Sequence, residues 1–268
     1  MIRLLHLSDP HFGAADEATA QAFLARAKEL APDLTVLSGD LTMRARRQEL
    51  RDAKAFYEQL PQPRFVIPGN HDIPALNQPL DRFFRPFRRY RETFGKDLEP
   101  SLCTGSIEVI GLNSNRAFSR DLDWSKGYLS QDQLDGAARR FGPVSPGLRV
   151  LTLHHPLLAP PDHRRDVVKP LPPLLTMLSG SRVDLVLCGH FHQSRIGTVA
   201  GTSEWSSIVS QAPTVCSTRL QGEPPGFHMI HLDGDQLRVV LHRYEGDRFM
   251  EDSSEIFRRD ETGWHVLL

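Results

Sequence analysis

The sequence predicts an α/β fold in which helices flank a largely parallel sheet and antiparallel strands follow. Short apolar runs alternate with helical segments across residues 2–67. The resulting order β-α-β-α-β is typical of parallel strands joined by right-handed crossovers. Near the C-terminus, two apolar runs flank Asp233-Gly234-Asp235, which is a strong signal for a β-hairpin. These observations favour a layered α/β sandwich with a second sheet.

Each early element has a local cause. The Ala-, Glu- and Leu-rich segment Glu17–Leu30 has helical periodicity, and the next helix carries an apolar stripe that includes Phe56 and Leu60. Pro61 and Pro63 end that second helix, because proline has no N–H to donate to the preceding turn. The predicted elements are, in order, a strand at Ile2–Leu7, a helix at Glu17–Leu30, a strand at Leu34–Leu37, a helix at Arg46–Gln59 and a strand at Phe65–Ile67.

Residues 74–100 interrupt this alternation with several prolines and the basic-aromatic run Phe83–Arg91. We interpret the segment as a helical cap on the surface, whose arginines form either a solvated helix face or a receptor for a phosphate or a base. The later predicted elements are strands at Ser106–Leu112, Arg149–Leu153 and Val183–Cys188, helices at Ser130–Arg140 and Leu171–Leu178, and hairpin strands at Phe227–Leu232 and Gln236–Arg243. Because no repeat or linker is visible, we expect one domain over residues 1–268, with a cap-like insertion near 74–100 and a C-terminal antiparallel hairpin near 227–243.

The composition is that of an ordinary soluble protein, with 40% hydrophobic and 24% charged residues and a formal net charge of −1. This near-neutral balance disfavours non-specific binding to nucleic acid or to a membrane surface. There is no apolar run of ~18 residues that could span a bilayer and no leader-like segment. Cys103, Cys188 and Cys216 form no CxxC pair, and free thiols are typical of a reducing compartment. We therefore expect a cytoplasmic protein.

Polar residues with ligand chemistry follow five of the predicted strands. Ligands of open α/β sheets bind in the crevice beyond the carboxyl ends of strands, so these motifs should meet in one crevice. Each motif alone is compatible with a turn or a helix cap, whereas all five in this order indicate a binding site. The motifs are Asp9-Pro10-His11, Gly39-Asp40, Gly69-Asn70-His71-Asp72, His154-His155-Pro156 and Gly189-His190-Phe191-His192.

The residue types in these motifs point to divalent metal ions. Carboxylate oxygens and imidazole nitrogens suit Mn, Fe, Zn, Co or Ni, while the absence of cysteine from the motifs argues against a thiolate site. Two adjacent ions need a bridging ligand, and Asp40 is the candidate carboxylate. By contrast, His6 alternates with apolar neighbours and is interpreted as a core histidine. His155 should face away from His154, so a structural role is favoured for it.

The order D-x-H, G-D, G-N-H-D, H and G-H-x-H resembles the calcineurin-like metallophosphoesterase family, over residues 9–192. The resemblance implies a four-layer α/β/β/α sandwich of two mixed sheets flanked by helices. It implies that one metal is held by Asp9, His11, Asp40 and His192 and the second by Asp40, Asn70, His154 and His190. It further implies attack on phosphorus by a metal-bridging hydroxide. In the family pattern His71 stabilises the transition state or protonates the leaving oxygen, and Asp72 orients its ring.

Within the family, the His154-His155-Pro156 block and the stretch Ser217–Pro224 are similar to bacterial class III cyclic nucleotide phosphodiesterases. This resemblance implies a phosphodiester hydrolase acting on a 3′,5′-cyclic nucleotide. The alternatives are another phosphodiester or pyrophosphate, such as a glycerophosphodiester or a nucleotide-linked lipid precursor, then a nuclease, and a non-catalytic metal-binding scaffold. Arg116 follows a predicted strand and is a candidate phosphate contact. A homo-oligomer formed through the exposed hairpin around Asp233–Asp235 and the strand at Val239–Val240 is a further hypothesis.

Overall fold

A computed structural model describes residues 1–75, 78–116, 125–142, 147–158, 167–201 and 205–267. Its strands are β1 (Ile2–Leu7), β2 (Leu34–Leu37), β3 (Arg64–Val66), β4 (Ser101–Thr104), β5 (Ile107–Gly111), β6 (Leu148–Thr152), β7 (Leu185–Cys188), β8 (Arg195–Ala200), β9 (Ser206–Gln211), β10 (Gly226–Asp233), β11 (Gln236–Glu245), β12 (Arg248–Asp260) and β13 (Gly263–Val266). Its helices are α1 (Glu17–Leu30), α2 (Arg47–Gln59), α3 (Pro79–Phe84), α4 (Arg88–Phe94), α5 (Gln131–Phe141) and α6 (Leu171–Gly180), and a short 3-10 helix covers Asn70–Asp72.

The strands form two mixed sheets that are joined along one edge. The first sheet has the order β3-β2-β1-β10-β11-β12, and the second has β13-β9-β7-β6-β5-β4, with β8 also paired to β9. The β12–β13 hairpin connects them, and β13 pairs with β9 at Gly263 and Ser206. The hydrogen-bonded path is therefore continuous, but it folds back so that the two sheets face each other.

Side-chain alternation along the strands separates the layers. On β1, Leu4 packs between the sheets whereas Leu5 packs under the helices, and on β7 Leu185 faces inward whereas Val186 faces outward. Three apolar cores result: one between the sheets, one under α1, α2 and α4, and one under α5 and α6. This confirms the predicted four-layer α/β/β/α sandwich.

Local sequence signals account for the ends of several helices. Helix α1 has the predicted bounds, and the Asp16 carboxylate caps it by accepting a hydrogen bond from the Thr19 amide at 2.8 Å. The predicted cap Ser130 accepts from the Gln133 amide at 3.2 Å. In the segment expected to form a surface cap, α4 packs on α2, with the rings of Tyr57 and Phe94 5.8 Å apart.

The suggestion that the strand at Val239–Val240 pairs with a second subunit is wrong, while pairing through the exposed turn around Asp233–Asp235 stays a prediction. This strand is β11, and it is hydrogen-bonded to β10 on one side and to β12 on the other. Val239 and Val240 are buried, so neither backbone nor side chains are open to another chain there. In the part of the chain that the structure describes, no helix is both long and apolar enough to cross a membrane.

Candidate metal centre

The structure brings the seven predicted ligand residues together at the carboxyl ends of five strands. Asp9 and His11 follow β1, Asp40 follows β2, and Asn70 follows β3, all in the first sheet. The second sheet supplies the other three, His154 after β6 and His190 and His192 after β7. The crevice thus lies where the ends of the two facing sheets meet.

The first cluster contains Asp9, His11 and His192, together with one oxygen of Asp40. The Nε2 atoms of His11 and His192 are 2.9 Å apart. Asp9 Oδ1 lies 3.7 Å from Nε2 of His11 and 3.5 Å from Nε2 of His192. Ligand atoms about 2.1 Å from a common ion stand roughly 3.0–3.4 Å apart, so the cluster has nearly the dimensions of a coordination shell.

The second cluster contains Asp40, His154, His190 and the amide oxygen of Asn70. Asn70 Oδ1 lies 3.0 Å from His154 Nε2 and 3.1 Å from His190 Nδ1. Asp40 Oδ2 is 3.4 Å from His154 Nε2 and, in the other direction, 3.5 Å from His11 Nε2. One carboxylate oxygen therefore belongs to both clusters, which is the position of a bridging ligand.

The hydrogen bonds of the rings show that the clusters fit cations. The Nδ1 atoms of His11 and His192 face the backbone carbonyls of Thr42, at 3.3 Å, and Arg219, at 2.7 Å. A carbonyl only accepts, so each Nδ1 carries the proton and each Nε2 keeps its lone pair. Two lone pairs 2.9 Å apart repel each other unless a cation lies between them. Asp9 Oδ1 points into the same space and is buried without a hydrogen-bond donor among the described residues.

The backbone is strained at the same positions. Left-handed conformations cost free energy for residues with a Cβ, and they cluster at functional sites where the surroundings enforce them. The crowding of the same loops explains the glycines at positions 69 and 189. A Cβ added to Gly69 would clash with Asp40, and one added to Gly189 would clash with Asp9. Five of the ligand residues have positive φ: Asp9 (54°), His11 (47°), Asp40 (51°), His190 (78°) and His192 (56°).

Burial and the two carboxylates set the charges of the imidazoles. Burial lowers the pKa of His11 and of His190 to about 4 each. Burial acts on His154 in the same direction, but the carboxylates of Asp40 and Asp9 and the Ser38 carbonyl together raise the pKa of His154 to about 9. A bound metal ion would compete with that proton for the Nε2 lone pair, so metal affinity should rise with pH.

The family of the chain follows from its sequence. Residues 2–194 match the model of the calcineurin-like phosphoesterase family, a span that contains all five motifs. The chain belongs to this family. Family membership implies a centre with two divalent ions, which agrees with the two clusters that share Asp40.

Two relatives of similar sequence are named as probable phosphodiesterases. The chain is 31% identical over 190 residues to a probable cyclic nucleotide phosphodiesterase of Synechococcus sp., covering 69% of this chain and 67% of the relative. It is 28% identical to the probable glycerophosphodiester phosphodiesterase GpdQ of Arcobacter nitrofigilis, covering 66% of this chain and 61% of that protein. The fold is similar to that of purple acid phosphatase PPD1 from yellow lupin, with a TM-score of 0.70 at 13% identity, over 97% of this chain and 54% of the phosphatase.

His71 lies beside the first cluster of this calcineurin-like centre, with its ring 4.8 Å from that of His11. The expectation that Asp72 orients the ring is wrong, because His71 Nδ1 donates instead to the carbonyl of Met43 at 2.8 Å. Asp72 is fully buried and accepts hydrogen bonds from the amides of Leu41, Thr42 and Gly69. It therefore ties the loop after β3 to the loop after β2, and it acts on His71 only through the backbone.

Arg116 contacts none of the seven ligand residues in the described part of the chain. Its guanidinium lies 3.4 Å from the centroid of the Tyr128 ring, which holds the charge against an aromatic face. Tyr128 is tied to this region because its amide donates to the carbonyl of Ser114 at 2.9 Å. The hydroxyl of Ser114 lies 2.8 Å from Nδ1 of His155, whose ring is 4.9 Å from that of His190. His155 is thus a buried neighbour of the second cluster, and its ring lies 5.2 Å from that of His154 rather than facing away from it as expected.

Sequence reasoning missed the groups that orient the ligands. The carbonyl of Ser38 accepts from His154 Nδ1 at 3.0 Å, and the carbonyls of Thr42 and Met43 hold two further rings. Backbone carbonyls carry no residue-type signal, so no pattern could have revealed them. The missed side chain is Arg219, whose Nη1 lies 3.4 Å from His71 Nε2; the sequence pattern of Ser217–Pro224 resembles relatives but assigns no role to this residue.

Proposed function

We propose that the protein is a metal-dependent phosphodiesterase whose centre consists of Asp9, His11, Asp40, Asn70, His154, His190 and His192. The observation that carries the proposal is the sharing of Asp40 Oδ2 between two clusters of ligand atoms. Two divalent ions held there would lower the pKa of bound water to roughly 7 and stabilise charge on the attacking and leaving oxygens.

The protein's own groups would prepare this chemistry. Asp40 Oδ1 accepts from the His71 amide at 2.8 Å, so the bridging carboxylate and the catalytic loop are fixed to each other. The ring of His71 is anchored at Nδ1 and directs Nε2 towards the crevice, where it would stabilise the transition state or protonate the leaving oxygen. Asp72 supports this geometry because its carboxylate accepts hydrogen bonds from amides in the loop after β2 and in the loop after β3.

We propose a 3′,5′-cyclic nucleotide as the substrate, in line with the relative from Synechococcus. A glycerophosphodiester is the second candidate, favoured by the similarity to GpdQ of Arcobacter nitrofigilis. The Arg116–Tyr128 stack, with a charge and an aromatic ring together, is proposed as a phosphate contact on the side of the second cluster. Mn and Fe are the proposed metals, and Zn, Co or Ni would fit the same nitrogen and oxygen ligands.

We further propose that residues 1–268 form one domain located in the cytoplasm. Trp264, close to the C-terminal end, is fully buried in the same core as Leu4 of the first strand. Cys188 and Cys216 are buried free thiols, which suits a reducing compartment.

The test is turnover by the manganese-loaded protein. The panel comprises bis(p-nitrophenyl) phosphate, 3′,5′-cyclic nucleotides, a glycerophosphodiester and p-nitrophenyl phosphate as the monoester. We expect hydrolysis of the diesters, with a cyclic nucleotide preferred, and its loss in Asp40→Ala. A preference for the glycerophosphodiester would select the second candidate. No turnover of any diester above the level of Asp40→Ala would refute the phosphodiesterase.

A further inference from the structure

The segment between β9 and β10 crosses the centre and is fastened to the loop that follows β1. The amide of Val215 donates to the carbonyl of Ser8 at 3.0 Å, and that of Thr218 donates to the carbonyl of Ala14 at 2.8 Å. The Thr214 hydroxyl donates to the carbonyl of Asp9 at 2.6 Å. The residue that follows this anchored stretch is Arg219, whose position is therefore fixed relative to the ligand Asp9.

The backbone of Arg219 takes part in the metal centre. Its carbonyl accepts from His192 Nδ1 at 2.7 Å, and its amide donates to the Ser217 hydroxyl at 3.1 Å. These two contacts belong to the main chain and do not depend on the type of side chain. The function of the guanidinium is consequently a separate question, which substitutions at this position can address.

The guanidinium of Arg219 carries a charge that no carboxylate of the described residues neutralises. Its Nη1 lies 3.4 Å from His71 Nε2 and 3.7 Å from the Met43 sulfur, and neither of these atoms carries a negative charge. While the His71 ring is neutral, its Nδ1 donates to the Met43 carbonyl and its Nε2 can accept from Arg219. An arginine has five N–H donors in a planar fork, and these two contacts involve only one terminal nitrogen.

We propose that Arg219 binds the phosphoryl group of the substrate, donating to its non-bridging oxygens next to His71. The proposal rests on the proposed function and names a further residue for it. The fork of a guanidinium matches two oxygens on one phosphorus, and its charge complements that of the diester anion. The rival explanation is that the Arg219 side chain only positions the ring of His71 and does not contact the substrate.

The experiment compares Arg219→Gln and Arg219→Lys with the wild-type manganese-loaded protein. Arg182→Gln is the matched control, because Arg182 precedes β7 at the opposite ends of the strands and stacks on Trp205 at 5.4 Å. We measure metal content, kcat and KM for bis(p-nitrophenyl) phosphate, and the binding of inorganic phosphate by calorimetry. Arg219→Gln should retain its metal, while kcat/KM and phosphate affinity each fall about 10- to 100-fold, the range expected for a lost charge-assisted hydrogen bond.

The conservative variant separates the two explanations. Arg219→Lys keeps the charge but loses the fork, so it should recover part of the phosphate affinity. A lower kcat with unchanged phosphate affinity in both variants would assign the side chain to positioning His71 and overturn the proposal. If Arg219→Gln loses metal, the phosphate affinity of Arg219→Lys decides, and a wild-type value overturns the proposal. Absence of turnover in the wild type would refute the phosphodiesterase instead, while phosphate binding would still test Arg219.

Discussion

Substitution of Gly69 by alanine tests how closely the two loops that carry Asp40 and Asn70 must approach. Gly69 has a φ of −105°, which alanine adopts without strain, so the effect of the substitution is purely steric. An added Cβ would lie 2.8 Å from the Cα of Asp40 and still closer to its amide nitrogen and Oδ1. Non-bonded heavy atoms normally stand about 3.5–4.0 Å apart, so the loops must separate by roughly 1 Å.

That separation acts directly on the bridging oxygen. Asp40 Oδ2 now lies 3.5 Å from His11 Nε2 and 3.4 Å from His154 Nε2, and a shift of the loop cannot preserve both distances. We expect a loss of about 1–3 kcal/mol in the free energy of unfolding from overpacking. A misplacement of about 1 Å should lower kcat roughly 100-fold.

The assay is turnover of bis(p-nitrophenyl) phosphate, with metal content and urea unfolding measured on the same samples. Gly136→Ala serves as the control, because a Cβ at this position in α5 would find its nearest neighbour at 3.9 Å. It should raise the free energy of unfolding by about 0.5–1 kcal/mol and leave kcat unchanged. Wild-type turnover and two bound metals in Gly69→Ala would refute the argument that this contact fixes the bridge.

Two further predictions concern charge. Asp40→Asn should bind fewer than two metal ions per chain, as measured by mass spectrometry, because a neutral amide is a weak bridging ligand. The control is Asp184→Asn, which replaces an equally buried carboxylate just before β7, at the end of the strand away from the metal centre. This variant should be less stable but keep both ions. Burial lowers the pKa of His228 to about 3, so the unfolded chain binds a proton at this residue below its ordinary pKa of 6.5 while the native protein does not. His228 should therefore reduce stability by about 2 kcal/mol as the pH falls from 6.5 to 4.5, and His228→Gln should remove that part of the pH dependence in urea unfolding; parallel curves for the two proteins would contradict it.

The sequence predicts most of the α/β part because local and tertiary signals coincide there. Strand β1 and helix α1 have the predicted bounds, since a continuous apolar run and a capped helical period each specify one structure. The ligand residues could be predicted because their types and their positions after strands are encoded locally. The role of Asp72 could not be predicted from the sequence. Its carboxylate accepts hydrogen bonds from three backbone amides in two loops, and only the folded structure brings these amides together.

The predicted hairpin is confirmed as β10 and β11, whereas the strands β12 and β13 that follow it were missed for a physical reason. Most of the side chains of β12 are exposed, so its sequence lacks the alternation of apolar and polar residues that identifies a strand. It is extended because β11 offers its backbone groups along nearly the whole length. Arg219 was missed for a similar reason: the Ser8–Thr214 bridge brings it to the centre from a distant part of the chain.

The pairing of β1 with β10 has a consequence for biosynthesis. Ile2 lies opposite Leu232 in the first sheet, so one side of β1 stays unpaired until residue 232 has been synthesised and has left the ribosome. The Ser8 carbonyl likewise gains its hydrogen-bond donor, the Val215 amide, only after residue 215 has been synthesised. Asp9, Asp40 and Asn70 therefore precede His190 and His192 in synthesis, and we expect the proposed metal ions to bind only after the residues that complete both clusters have been made.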